Sequence, residues 1–328
     1  MIIESQFRPA YGLSNPHLQT LFPYLINDTS NKQFNRQTLE LDDGDFLDLT
    51  WSGNPVNGRP ITVIFHGLES SIDSHYVPRI MQTLLENGTT SVLMHFRGCS
   101  GIPNRLARSY HSGETGDARY LLEWLTAHYP DSLLAAIGYS LGGNVLLKLQ
   151  SEYGIDSPLQ AAISICAPLR LDLCANRIKK GFSRTYQHVL LDGLKQKILD
   201  KSDFIDYQEL IGMSNDEIKR IKTFWEFDDL ITAPLHGFMN VHDYYRRSSS
   251  RYFLHAIQKP TLIIHAMDDP FMTTAVVPDE AELSDATELE LCQHGGHIGF
   301  IAGSIFNPVF WLQKRIPEYL SSKFHDKK

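Results

Sequence analysis

Leu133-Leu134-Ala135-Ala136-Ile137-Gly138-Tyr139-Ser140-Leu141-Gly142-Gly143-Asn144 is the stretch on which the reading of this chain turns. It begins as an unbroken apolar run, which is how a strand covered on both faces reads. It continues into residues 141–153, where Val145, Leu146 and Leu149 form one apolar stripe at helical spacing. Between the two stands Gly138-x-Ser140-x-Gly142, the pattern of a nucleophile elbow. There a sharp strand-to-helix turn holds a serine hydroxyl out of the sheet, and the flanking glycines let neighbouring backbone pass without a Cβ. Five residues match this pattern by chance often enough that the competing reading is an ordinary turn that happens to contain serine. The strand before it and the helix after it favour the elbow.

Working outward, residues 60–65 and 90–96 read as buried strands rich in β-branched and aromatic side chains. Residues 78–86 read as a helix stopped at Asn87-Gly88, residues 116–128 as a second helix, and residues 160–167 as another strand. The rhythm then breaks. From 169 to 254 the chain is polar, charged and aromatic, with helical patterns at 178–182, 190–199 and 216–227 and no strand. Strand patterns return at 261–265 and 288–292, and an amphipathic helix is predicted over 310–324. This pattern predicts an α/β fold, a mostly parallel doubly wound sheet with a helical insertion. The core is expected over 1–168 and 255–328, and the insertion over 169–254. An insertion between two strands of such a sheet lies over their carboxyl ends, where ligands bind, so it is expected to act as a cap.

Composition narrows the field. The 328 residues carry 30 Lys plus Arg against 38 Asp plus Glu, a net charge of −8, and 42% are apolar. That apolar content excludes a disordered chain, and the acidity argues against a nucleic-acid partner, which needs clustered Lys and Arg. Cys99, Cys166, Cys174 and Cys292 form no CxxC pair and no zinc-like spacing, so neither a metal nor a redox centre is expected. There is no signal-peptide pattern at the N-terminus and no apolar run of about 18 residues. The sequence therefore points to a cytoplasmic protein without a transmembrane segment, peripheral membrane contact being left open.

A serine hydroxyl needs a base to remove its proton, and the base needs a group to orient it. In this fold the chain order is Ser, then acid, then His. Two aspartates, Asp268 and Asp269, follow the strand at 261–265; two histidines, His294 and His297, follow the strand at 288–292. Asp269 is preferred because it precedes Pro270 in a small-x-x-Asp-Pro pattern. His297 is preferred because Gly295-Gly296 before it lets the loop turn towards the serine. An oxyanion hole needs two preorganised N–H donors. The Leu141 amide, next after the nucleophile, supplies one, and the Leu68 amide, in the loop His66-Gly67-Leu68, supplies the other. His66 is read as structural, and Arg97 as a fork that ties loops together.

The chain resembles the α/β-hydrolase superfamily and, more narrowly, the YheT-type esterases with their ABHD1/ABHD3-like and EMB8-like relatives. The resemblance rests on Asn15-Pro16-His17-Leu18-Gln19-Thr20, His66-Gly67-Leu68, Phe96-Arg97-Gly98-Cys99-Ser100-Gly101, the elbow, Asp268-Asp269-Pro270-Phe271, and residues 294–300. It implies a carboxylic-ester hydrolase with Ser140, Asp269 and His297 as its triad. No cofactor is required by that chemistry, and no substrate carries over from the resemblance; the expected one is a small-molecule ester or lipid with short- to medium-chain acyl groups. Acyl transfer to an alcohol at the same site, or a non-catalytic binding protein on this scaffold, are the alternatives.

Overall fold

The structure is a computed structural model and describes residues 1–26 and 34–325. Nine strands form one sheet: β1 (Ile2–Glu4), β2 (Asn35–Glu40), β3 (Phe46–Ser52), β4 (Ile61–Phe65), β5 (Thr90–Met94), β6 (Leu134–Tyr139), β7 (Leu159–Ile165), β8 (Thr261–Ala266) and β9 (Thr287–Cys292). Their spatial order is β1-β9-β8-β7-β6-β4-β5-β3-β2. All pairs from β1 to β5 are parallel; β2 and β3 join antiparallel at one edge.

Alternate residues of each central strand feed opposite cores. Ile64, Ile137 and Ile163 face a cluster completed by helices α2 (Val77–Glu86) and α12 (Leu312–His325). Val63, Phe65 and Ala136 face the other, closed by α3 (Gly116–His128) and α4 (Leu141–Tyr153). Burial on both faces is why these strands carry no polar alternation.

Several elements depart from the sequence expectation. The polar Asn35–Glu40 forms an edge strand with only Leu39 buried, so its sequence carries no apolar signal. Residues 178–182 are not a helix: Ile178 ends α5 (Leu171–Ile178), and a turn leads into α6 (Ser183–Asp200). The pattern over 216–227 divides into α8 (Asn215–Arg220) and α9 (Phe224–Phe227), after α7 (Tyr207–Ile211). The insertion ends with α10 (Ala233–Leu235) and α11 (Val241–Ser248). The N-terminal helix α1 (Pro16–Leu25) has no counterpart in the sequence expectation. Its prolines read as breakers, yet Pro16 stands at the first turn, where its missing N–H costs nothing, and Asn15 Oδ1 caps the His17 and Leu18 amides.

Buried charge fastens these parts together. Arg97 is almost fully buried; its guanidinium meets both oxygens of Asp117 at 2.6 and 2.8 Å, Asp43 at 2.8 Å and Asp45 at 3.1 Å. Lys201, at the end of α6, donates to Asn104 Oδ1 and the Leu106 carbonyl, both at 2.9 Å, and burial lowers its pKa to about 8. Lys197 on the same helix lies 2.9 Å from Glu69 and 2.8 Å from Cys99 Sγ, joining the insertion to loops of the sheet.

Candidate active site

Ser140 sits between β6 and α4 with φ +49°, a left-handed conformation that a non-glycine residue holds only under strong constraint. Packing supplies the constraint. A Cβ on Gly138 would run into the Gly142 carbonyl, and one on Gly142 into the Phe65 carbonyl. The Gly142 amide donates to the His66 carbonyl at 3.1 Å, tying the elbow to the loop after β4.

His297 Nε2 lies 2.9 Å from Ser140 Oγ, and its Nδ1 lies 2.7 Å from Asp269 Oδ2. All three residues are buried. The other Asp269 oxygen accepts the Phe271 amide at 2.8 Å, which fixes the carboxylate plane. Asp268 is turned away from the serine. One of its oxygens accepts the Gly296 amide at 3.0 Å and the other meets His294 Nδ1 at 3.2 Å. Burial raises the Asp268 pKa. The adjacent aspartates and the two histidines therefore form separate pairs, and Asp269–His297 is the one that reaches Ser140.

In the loop after β4 the amides on either side of Leu68 are committed. Gly67 N–H donates to Tyr76 Oη at 2.8 Å, Glu69 N–H to Tyr110 Oη at 3.0 Å, and Ser70 N–H to the Gly67 carbonyl at 3.2 Å. Among the described residues neither the Leu68 nor the Leu141 amide has a protein acceptor. His66 is held within the loop, with Nδ1 2.7 Å from the Gly67 carbonyl while Nε2 accepts the Phe96 amide at 3.1 Å. Burial drives its pKa well below the ordinary value, so it stays neutral.

Cys166 Sγ joins Asp269 and His297 within 4.8 Å, a grouping that could in principle hold a cation. Both His297 nitrogens are already engaged, and burial keeps the thiol protonated by raising its pKa well above normal. This chemistry suits a proton relay better than a metal.

Three supporting residues were not singled out as functional from the sequence. Phe271 stacks on the His297 ring at 4.0 Å and 10°. Thr20 Oγ1 accepts the His297 amide at 2.9 Å and itself donates to the Pro16 carbonyl at 2.8 Å. Gln19 bridges the same region, donating to the Ile301 carbonyl at 3.0 Å and accepting its amide at 2.8 Å. Gly296, at φ +58°, is required here, because a Cβ would come within 2.8 Å of Gln19 and Thr20. The Asn15-Pro16 pair, a helix start, was the available signal for this buttress.

Two chambers meet at Ser140. One, of about 130 Å³, lies beneath the insertion and is walled by Leu171, Ala175, Ile178, Phe224 and Phe227, with Asp228 among them. The other, of about 330 Å³, is walled by Leu21, Tyr24, Phe182, Val189, His75 and His297.

Residues 60–304 match the family model described as alpha/beta hydrolase fold. Over 320 residues the chain is 45% identical to the YheT protein of Escherichia coli (strain K12), whose name marks it as an esterase; the match spans 97% of this chain and 94% of that protein. It is 26% identical over 310 residues to a phospholipase, ABHD3, of Mus musculus, spanning 92% and 75% of the two chains. The fold is also that of the Pyrococcus furiosus esterase Pf2001 (TM-score 0.59, 18% identity, 90% and 92% covered). A soluble variant of the Saccharomyces cerevisiae monoglyceride lipase shares it as well (TM-score 0.56, 15% identity, 91% and 98% covered). No helix among the described residues is long and apolar enough to cross a membrane. With its elbow, sheet order and these relatives in place, the chain belongs to the α/β-hydrolase fold family, in its esterase and lipase branch.

Proposed function

We propose that this protein hydrolyses carboxylic esters through an acyl-enzyme formed on Ser140. The observation that carries the reading is the unbroken chain Asp269–His297–Ser140, with links of 2.7 and 2.9 Å. His297 removes the serine proton as Oγ attacks the carbonyl carbon, and Asp269 holds the imidazole in the tautomer that accepts it. The developing oxyanion takes hydrogen bonds from the Leu68 and Leu141 amides, which have no acceptor among the described residues. His297 then protonates the leaving oxygen, and water attacks the acyl-enzyme by the reverse sequence.

The insertion over 169–254 acts as a cap, and the chamber beneath it receives the acyl group. Its volume of about 130 Å³ is close to that of the roughly 150 Å³ engineered cavity that holds benzene. That size fits an acyl chain of about six carbons, so short- to medium-chain esters are the substrate class, lipid esters of that length included. The names of the relatives, esterase and phospholipase, point the same way.

A fluorophosphonate probe tests the nucleophile. It should label the wild-type protein covalently and leave Ser140→Ala unlabelled; labelling of the variant at a similar rate would remove Ser140 from the role.

A further inference from the structure

Of the two chambers at Ser140, only the larger is walled by His297. The proton that His297 takes from the serine must be delivered to the leaving oxygen, so the leaving alcohol has to lie within hydrogen-bond reach of Nε2. Nε2 points at Ser140 Oγ from this side. The chamber beside His297 is therefore the alcohol side, and the chamber without it is the acyl side. On that basis the larger space, about 330 Å³ against about 130 Å³, belongs to the alcohol.

The walls define the chemistry of what fits. Leu21 and Tyr24 come from α1, Phe182 from the turn that leads into α6 and Val189 from the second turn of that helix, and they present carbon and ring faces. One polar group stands out among them. His75, in the loop before α2, is 4% exposed, and no protein group among the described residues hydrogen-bonds to either of its ring nitrogens. It packs against the Tyr24 ring at 4.2 Å and the Tyr76 ring at 5.3 Å. Burial and nearby Arg79 lower its pKa to about 4, so it is neutral at ordinary pH. A neutral imidazole offers one donor and one acceptor. Buried polar groups are almost always paired, and a hydroxyl, which both donates and accepts, matches what this ring offers.

We propose that the cavity between α1, α6 and the loop carrying His75 is the subsite for the alcohol half of the ester, that it takes an apolar alcohol bulkier than the acyl group, and that His75 recognises a hydroxyl on that alcohol. This rests on the ester-hydrolase reading above. It makes the substrate an ester whose alcohol carries both a hydrocarbon chain and a free hydroxyl.

The test holds the acyl group at butanoyl and varies the alcohol among methanol, 1-hexanol, and 1,2-hexanediol acylated at its first oxygen. Each buried methylene is worth up to about fourfold, so kcat/KM for the hexyl ester should exceed that for the methyl ester by at least about tenfold. The free hydroxyl of the diol ester should add on the order of fivefold more. His75→Phe should abolish the hydroxyl increment and keep the alkyl increment. Val189→Asp, a change at an exposed rim position that the fold will tolerate, should lower the hexyl-to-methyl ratio. Equal rates for methyl and hexyl esters, a hydroxyl increment that survives in His75→Phe, or an alkyl ratio untouched by Val189→Asp would each overturn the assignment. If those failures occur while esters turn over and the fluorophosphonate labels Ser140, the fault lies with the subsite. If there is neither turnover nor labelling, the ester-hydrolase reading falls and the subsite with it.

Discussion

Asp268 and Asp269 are neighbours in the chain, chemically identical, and separated in role by which way the strand end points them. Asp269 meets His297 Nδ1 at 2.7 Å, whereas Asp268 braces the loop through the Gly296 amide and His294. An asparagine at 269 could stabilise the wrong imidazole tautomer, so Asp269→Asn should lower kcat by about 10⁴. Asp268→Asn, which keeps one amide contact available, should cost no more than about tenfold. Steady-state kinetics on the two variants checks the ranking, and the reverse order would transfer the orienting role to Asp268. The sequence narrowed the acid to these two residues and preferred Asp269 on the following proline. The distances that separate them exist only in the folded loop.

At the scale of elements, α1 and the insertion shape the site from opposite sides. Thr20 links α1 to the His297 backbone, so on the proposed mechanism its expected effect is one of positioning. Thr20→Val keeps the shape and removes the acceptor. The expected result is a fall in kcat of about tenfold with KM little changed, restored in Thr20→Ser; a change confined to thermal stability would leave Thr20 a purely structural residue. The insertion makes its own prediction through Asp228. Its carboxyl accepts from Thr232 and Tyr245, both at 2.8 Å, and burial pushes its pKa up to about 6. Because the pKa is raised, the group is neutral below about pH 6 and charged above it. The acyl chamber therefore becomes more apolar as pH falls through that value. The ratio of kcat/KM for hexanoyl over acetyl esters should rise as the pH is lowered, since groups that serve both substrates cancel in the ratio. A flat ratio across pH 6 would exclude Asp228 from contact with the chain. Acyl selectivity measured above pH 6 should peak near six carbons and drop beyond.

At the scale of the whole molecule, Arg97 ties the loop after β5 to the loop before β3 and to the first turn of α3 through Asp43, Asp45 and Asp117. Removing one partner from a buried ionic cluster leaves the others uncompensated, a loss of about 3–5 kcal/mol. Arg97→Met, similar in length and uncharged, should lower the unfolding free energy by that amount in a denaturant titration. A loss below about 1 kcal/mol would show that the aspartates are satisfied by water. The sequence reading of Arg97 as a loop tie is the reading the contacts support, although nothing local named its three carboxylate partners, which lie 20 to 54 positions away in the chain.

What the sequence determined by itself is whatever local chemistry enforces. Unbroken apolar runs must be covered on both faces, so the central parallel strands and their helices were legible. Gly138 and Gly142 around Ser140 announced the elbow, because few other residues leave room for such a turn. Chain order then narrowed the acid and the base to one pair of candidates each. The tertiary structure decided everything that depends on contacts between distant segments. Polar Asn35–Glu40 became a strand because β3 supplied its hydrogen bonds, not through any pattern of its own. Pro16 at the start of α1 and Pro23 inside it hid a helix whose Gln19 and Thr20 grip a loop some 280 residues later. The division of the space around Ser140 into a smaller chamber beneath the insertion and a larger one beside His297 is likewise written in no single stretch, because each wall is assembled from segments that only packing brings together.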